Sequence, residues 1–260
     1  MLYREYAQGR IAITQPTHAW VSGQLARAWG NERFGVVTPW EEVCLGAEQH
    51  DVGHTLWEQE PTLNPQTGLP YSFLDMPRQV HIQLWSSAGR LALAQGRYAA
   101  LLVSLHGTGL YERYDLSRDT TEEVRVVQDY LVRERAFQQE LLTSLRADPH
   151  YGPFATDEMV ERNRQLVRTW DALSLAICFG QHTGSVQRVP MDTGTTSLTL
   201  TAHADDCTQL LVAPWPFHQS QVTLVYEGHY VAEIFSDEAT MRTAFKRAPW
   251  ITLTTTLLAE

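Results

Sequence analysis

The dominant period of the apolar residues shifts near residue 182, and that shift limits the folds open to this chain. From about residue 15 up to it, apolar residues recur mostly every three to four positions, as one face of a helix requires. After it they alternate in short runs, "TGTTSLTLTA", "QLLVAPWPF", "QVTLVYEG", "HYVAEIF" and "ITLTTTLL", as half-buried strands require. The predicted class is α+β, with a mainly helical part over about 15–182 and a strand-rich part over 185–260 packed on it as an antiparallel sheet. The connecting "FGQHTGSVQRVPMD" is short and turn-like rather than an extended tether, so residues 1–260 are expected to form one α+β domain. At the start, "MLYREY" and "RIAIT" around Gly9 read as a hairpin that can join the sheet and tie both chain ends together. "YEGHYVAEIF" reads as a second hairpin turning at Glu227 and Gly228, and "SDEATMRTAFKRA" as a short helix among the strands.

Local signals divide the helical part. Pro16 suits the first turn of a helix that Gly30 stops, and Thr38 can cap the next, with Pro39 in its first position. After Asp75 and Pro77, "RQVHIQLWSSAGRLALAQG" is helical to Gly96, and "RYAALLVSLHGTGLY" is an apolar helix expected to stop at Gly107. Residues 119–147 form a long charged amphipathic helix, and the last begins near Thr156 and runs to Gly180. Between the second and third lies "EPTLNPQTGLPYSFLDMP", whose prolines and turn residues predict a loop or lid from Glu60 to Pro77; long loops in compact domains are usually functional.

Composition removes several function classes. A chain of 260 residues with 43% apolar residues can bury a sizeable core, and a net charge of −10 argues against a nucleic acid backbone as partner. The basic residues are nearly all Arg, with Lys246 the lone lysine. Cys44, Cys178 and Cys207 are odd in number and widely spaced, which predicts reduced thiols and neither a disulfide framework nor a zinc–thiolate site. No apolar run approaches the roughly 20 residues of a membrane span, and "MLYREYAQGR" lacks a signal-peptide core. A cytoplasmic protein with a small anionic substrate and no membrane partner is the expectation, and nothing in the residues sets an oligomeric state.

The segment "GAEQHDVGHTLWE" raises the question of chemistry. It places His50, Asp51 and His54 together in a stretch patterned to be half buried, and other predicted helices each contribute a similar group: His18, His81, His106 and Asp171. Asp171 has Val167, Ser174 and Leu175 one turn away, which points its carboxylate at the core. A buried unpaired carboxylate costs several kcal/mol, so something must compensate it; a metal ion held between helices would do so. By contrast, His203, Asp205 and Asp206 in "TAHADDC" read as a turn, and "APWPFH" as a core anchor or turn.

Taken together, "QPTHAW", "EQHDVGH", "SLHGTGLY" and "WDALSL" resemble the motifs of the HD-domain metalloenzyme superfamily and of a widespread uncharacterised bacterial family associated with it. The similarity covers roughly residues 12–180. It implies a helical HD-like bundle in which His18, His50, Asp51 and Asp171 hold one metal, while Asp51 bridges to a second held by His81 and His106. The cofactors implied are two divalent or mixed-valent transition metal ions; a donor set of imidazole and carboxylate suits Fe, Mn, Zn or Ni. Many HD phosphohydrolases keep a Lys or Arg beside the HD pair for phosphate. Here "HDVGH" has none, so that role must fall elsewhere; Glu58, Arg78, Arg113 and Arg164 are candidates to contact substrate or support the donors, and His54 is a candidate for acid and base work beside Asp51. The implied function is a metal-dependent phosphohydrolase or phosphodiesterase on a small phosphorylated or nucleotide-like substrate. A di-iron oxygenase of a polyol or organophosphonate has the same donor order, and a non-enzymatic small-molecule or protein binding module is the third reading.

Overall fold

In the computed structural model, which describes residues 1–204 and 206–260, the chain opens with the hairpin β1 (Leu2–Tyr6) and β2 (Gly9–Ile13). Helix α1 (Gln15–Ala28) follows directly, because the Thr14 side chain accepts from the Thr17 N–H and Pro16 sits where no donor is needed. Next come α2 (Trp40–Glu48), the short α3 (Thr55–Gln59), β3 (Leu63–Asn64) and β4 (Leu69–Pro70). The helical series continues with α4 (Arg78–Leu93), α5 (Arg97–Glu112), α6 (Thr121–Arg146) and α7 (Asp157–Cys178). Helix α6 starts in a reciprocal capping box between Thr120 and Glu123. The chain ends with β5 (Thr183–Pro190), β6 (Thr195–His203), β7 (Asp206–Ala213), β8 (Gln221–Val231), α8 (Glu238–Arg247) and β9 (Trp250–Ala259).

This architecture overturns the expected fold, a mainly helical HD-like bundle over about 15–182 carrying a C-terminal antiparallel sheet. Strands from both chain ends build one seven-stranded sheet in the order β1-β2-β8-β9-β7-β6-β5, so the helices are inserted into a sheet rather than followed by one. Nor is the sheet wholly antiparallel, since β7 and β9 pair in parallel from Gln209↔Thr256 to Val212↔Ala259. The parallel pair arises because β8 leaves one strand position beside β7 open, and β9, returning antiparallel to β8 after α8, fills it. The connecting segment read as a turn is largely strand β5.

Two glycines account for further differences. The predicted turn at Glu227 and Gly228 does not exist: β8 runs straight through, and a Cβ on Gly228 would lie 2.4 Å from Ile11 Cγ2. That glycine lets β2 close against β8. Similarly, α5 continues past Gly107, where a Cβ would stand 2.6 Å from the Tyr130 hydroxyl and 2.7 Å from the Trp85 ring. Gly107 thus serves the crossing of α4, α5 and α6, and His106 lies inside a helix instead of at its end.

Smaller corrections follow the same logic. Pro39 takes the cap position of α2 without a side-chain bond, while the Thr38 carbonyl accepts from Asn163 Nδ2 at 2.8 Å. The loop from Glu60 to Pro77 contains the β3–β4 pair, with Leu63 opposite Pro70. Of the turn predicted at His203, Asp205 and Asp206, Asp205 lies outside the described residues; His203 and Asp206 are register partners.

One contiguous apolar core joins helices and sheet, including Leu25, Leu102, Trp170, Leu198, Leu224 and Leu257. Trp29 is its hinge: edge-to-face contacts to Trp170 (5.7 Å) and Phe217 (5.6 Å) fasten α1, α7 and the "APWPFH" segment, each worth about 0.5–1.5 kcal/mol beyond burial. Strand β8 alternates exposed and buried residues through most of its length, and Trp20 and Gln24 of α1 both donate to the Val225 carbonyl. The helix bearing His18 is therefore fixed to the sheet. Among the described residues no helix is long and apolar enough to cross a membrane.

Candidate metal centre

His18 lies one turn into α1, and Asp171 lies two-thirds of the way along α7, which packs beside it. His50 and Asp51 sit just past the last residue of α2, in the turn leading to His54. His106 projects from the middle of α5, and His81 from the first turn of α4. Five of these seven groups meet.

Four donor atoms converge most closely. His18 Nε2 is 3.1 Å from His50 Nε2, 3.3 Å from Asp51 Oδ2 and 3.2 Å from Asp171 Oδ1; His50 Nε2 is 3.5 Å from each of the same two oxygens. Donors bonded at about 2.0–2.2 Å to one first-row ion, at tetrahedral or octahedral angles, stand roughly 3–3.5 Å apart. The spacing fits a single ion enclosed by two imidazoles and two carboxylates. His106 flanks the set, its Nε2 3.9 Å from Asp171 Oδ2 and its ring 4.7 Å from that of His50. The sets His18, His50, Asp51 and His50, His106, Asp171 are each compact enough to hold an ion.

Outer hydrogen bonds fix the tautomers. His50 Nδ1 is 2.7 Å from the Ala47 carbonyl, which can only accept, so Nδ1 carries the proton and Nε2 presents a lone pair. The Ser174 hydroxyl donates to the Asp171 carbonyl at 2.9 Å and so accepts from His18 Nδ1 at 2.7 Å, which leaves His18 Nε2 to carry either a proton or an ion. Two imidazole lone pairs 3.1 Å apart repel unless a cation lies between them.

The electrostatics agree. Burial raises carboxylate pKa values, yet the neighbouring histidines, His50 and His18 foremost for Asp51 and His18 and His50 for Asp171, hold both groups well below the usual range. Burial alone would lower His18, but hydrogen bonds that it donates to the Asp171 and Asp51 carboxylates carry it up to about 9. His106 is pushed down to about 4 by burial, and is therefore a neutral donor near pH 7. A cation is favoured at the centre: without metal the proton on His18 supplies it, while His106 stays uncharged.

His54 and His81 form a different arrangement. His81 has both nitrogens engaged, Nδ1 with the Tyr111 hydroxyl at 2.6 Å and Nε2 with Trp85 Nε1 at 3.1 Å, so it is not aimed at the ion set. Burial, with His54 nearby, lowers it to about 4. His54 is buried with neither nitrogen hydrogen-bonded, and its Nδ1 stands 3.7 Å from Asp51 Oδ1, the oxygen turned away from the four-donor set. Burial lowers its pKa also.

A cavity of about 470 Å³ opens over the centre, lined by His18, Asp51, His81, His106 and Asp171 and walled by Phe73, Met76 and Pro77 of the Pro-rich loop. His54 does not line it, which places that residue behind Asp51. Arg78 does, held by Asp119 at 3.2 Å and lying 4.0 Å over the Tyr114 ring. Glu58 is occupied elsewhere, pairing with the Met1 ammonium at 3.0 Å and accepting from the Gln15 N–H. Arg113 and Arg164 line another pocket. A larger groove of about 690 Å³, bordered by Gln83, Arg90, Asp129 and Arg133, contains none of these donors. Sequence reasoning missed Ser174, Tyr111 and Trp85. Ser174 alone had a readable signal, since it follows Asp171 by three positions on the same helical face.

A family model described as "Protein of unknown function (DUF3891)" matches residues 1–233. The chain belongs to the DUF3891 family. The matched region includes both halves of the sheet as far as β8 and every donor described above, so the centre lies wholly within the part that defines DUF3891. No curated protein and no solved structure matches the chain.

Proposed function

We propose that this chain is a metal-dependent phosphohydrolase or phosphodiesterase acting on a small phosphorylated or nucleotide-like substrate in the cavity over His18, His50, Asp51 and Asp171. The observation that carries the reading is the four-donor set at 3.1–3.5 Å with both histidine Nδ1 atoms already committed. Its imidazole and carboxylate donors suit Fe, Mn, Zn or Ni. The order of donors along the chain, His, His-Asp, His, His, Asp, resembles that of HD-domain metalloenzymes and directs the proposal to phosphoesters; the resemblance rests on donor order and not on architecture. When bound, an ion of this kind supplies Lewis acidity and water of lowered pKa.

The remaining work falls to the chain's own residues. Arg78, pre-oriented by Asp119 and Tyr114, is the cation in the cavity able to meet a phosphoryl oxygen. Phe73, Met76 and Pro77 exclude water from one wall. His54 lies behind Asp51, its Nδ1 3.7 Å from Oδ1, where burial favours its neutral form. The donor spacing favours one tightly held ion, and the second ion of the expected pair belongs beside His106, with His81 first released from Tyr111 or Trp85.

The test is elemental analysis of the purified protein, followed by assay of a nitrophenyl phosphodiester with each of the four metals and by oxygen-uptake measurement. About one firmly bound ion per chain and metal-dependent ester cleavage are expected. Oxygen consumption with no ester cleaved would replace the proposal with the oxygenase reading, and a protein that takes up no metal would leave a binding module.

A further inference from the structure

A second cavity of about 190 Å³ shares only His106 with the first among their lining residues, and four arginines border it: Arg113 at the end of α5, Arg164 and Arg168 on α7, and Arg188 on β5. Their charges are poorly balanced. Arg164 pairs with Glu112 at 2.6 Å and Glu161 at 3.6 Å, while Glu112 is also shared with Arg135; among the described residues Arg113, Arg168 and Arg188 have no carboxylate partner. Gly109 of α5 lets the group crowd together, since a Cβ there would lie 3.0 Å from Arg164 Nη2 and 3.4 Å from Arg113 Nη1. Burial first, and then the charges of Arg168 and Arg164, lower the pKa of Arg113 against the opposing pull of Asp171 and Glu112.

The backbone supplies an independent observation. Arg188 has φ +56°, in the left-handed region that a long side chain rarely adopts, at the point where the β5–β6 register slips between Val186 and Val189. A bulge re-aims the side chain it carries, and this one turns a fourth guanidinium toward the cavity. Strain kept at one residue among unpaired like charges is a combination that stability alone would remove.

We propose that this pocket binds a phosphate-class oxyanion, either inorganic phosphate or the phosphoryl group of a small metabolite, between Arg113, Arg164, Arg168 and Arg188. The planar forks of Arg match tetrahedral oxyanions through paired N–H donors, and three of the four lack a competing carboxylate. The site stands whether or not the neighbouring centre hydrolyses esters.

Calorimetric titration of the full chain with inorganic phosphate and, separately, phenyl phosphate, at constant ionic strength and both before and after chelation of metals, tests it. Saturable binding that survives chelation is expected, and the tighter of the two ligands identifies the source. Arg188→Gly should weaken binding by about tenfold or more, the size of one lost charge-assisted contact. Its Tm should stay level or rise, because glycine adopts φ +56° freely. The pair Arg113→Gln and Arg168→Gln, on other elements, should weaken binding at least as far. Undiminished affinity in these variants, absence of saturable binding, or loss of all binding on chelation would each overturn the proposal, the last by assigning phosphate to the ion centre.

Discussion

The two oxygens of Asp51 look into contrasting surroundings. On the Oδ2 side, His18, His50 and Asp171 stand at ligand spacing, and each imidazole is aimed by a bond to its far nitrogen. On the Oδ1 side, His54 has no partner on either nitrogen and His81 is tied to Tyr111 and Trp85. Each side has two histidines, but the second carboxylate, Asp171, stands only on the Oδ2 side. The outer shell separates the histidines further, leaving lone pairs facing a common point on the first side and engaging both His81 nitrogens on the second. A site of the first kind binds without rearrangement, whereas one of the second kind must first break existing hydrogen bonds.

The sharpest break of this contrast is Asp51→Ala, which touches both sides. Ion content should fall to background and ester cleavage with it, measured by elemental analysis and assay on the same preparation, whereas His81→Ala should leave the first ion in place. Equal metal loss in both variants would mean that the two sides form one unit.

Stripping the ion comes next in size. A ligand present at 100 to 1,000 times its dissociation constant stabilises the folded chain by about 3–4 kcal/mol, so chelation should lower Tm and readdition of metal restore it. An unchanged Tm in His18→Ala on metal addition, against a rise in the parent, would locate that stabilisation at the four-donor set.

Ser174→Ala tests the aiming itself, because it removes the group that accepts the His18 Nδ1 proton and leaves every donor atom intact. Ion affinity should drop about 10- to 100-fold. Competition with a chromogenic chelator reads this directly, and a parental affinity would show that packing alone orients His18.

The smallest expected effect is on pH dependence. In metal-stripped protein, His18 holds its proton to about 9, so its stabilisation is complete below its ordinary 6.5 and is lost as pH rises through 9. His81 and His106, lowered to about 4, act oppositely: the unfolded chain protonates first, and stability falls as pH drops from 6.5 through 4, where the depressed Asp51 and Asp171 add to the loss at still lower pH. Stability should peak near pH 6.5, with a steeper acid limb because three lowered histidines, His54, His81 and His106, contribute there and one on the alkaline side. Bound metal replaces the His18 proton and should flatten the alkaline limb; denaturant midpoints across pH, with and without the ion, would reveal a limb that fails to respond.

Helix signals and donor identities were readable because they are local. The helix over 119–147 and the start of the last helix near Thr156 could be read, and His18, His50, Asp51 and Asp171 could be named from their place on apolar faces. Glycine was the ambiguous letter, since a missing side chain has the same local signature at a stop, a turn or a close crossing. Gly107 and Gly228 were accordingly read as punctuation when both are contacts, with Trp85 and Tyr130 in one case and Ile11 in the other.

The sequence by itself therefore determined which residues could be donors and which segments had helical or strand period, both properties of a few neighbouring positions. Only the tertiary structure decided that β2 joins β8, that β7 runs parallel to β9, that His81 is held by Tyr111 and Trp85, and that Arg188 turns toward three other arginines. Each of these is a meeting of residues distant in the chain, set by the packing of whole elements against one core, and a local pattern carries no record of which distant surface it will face.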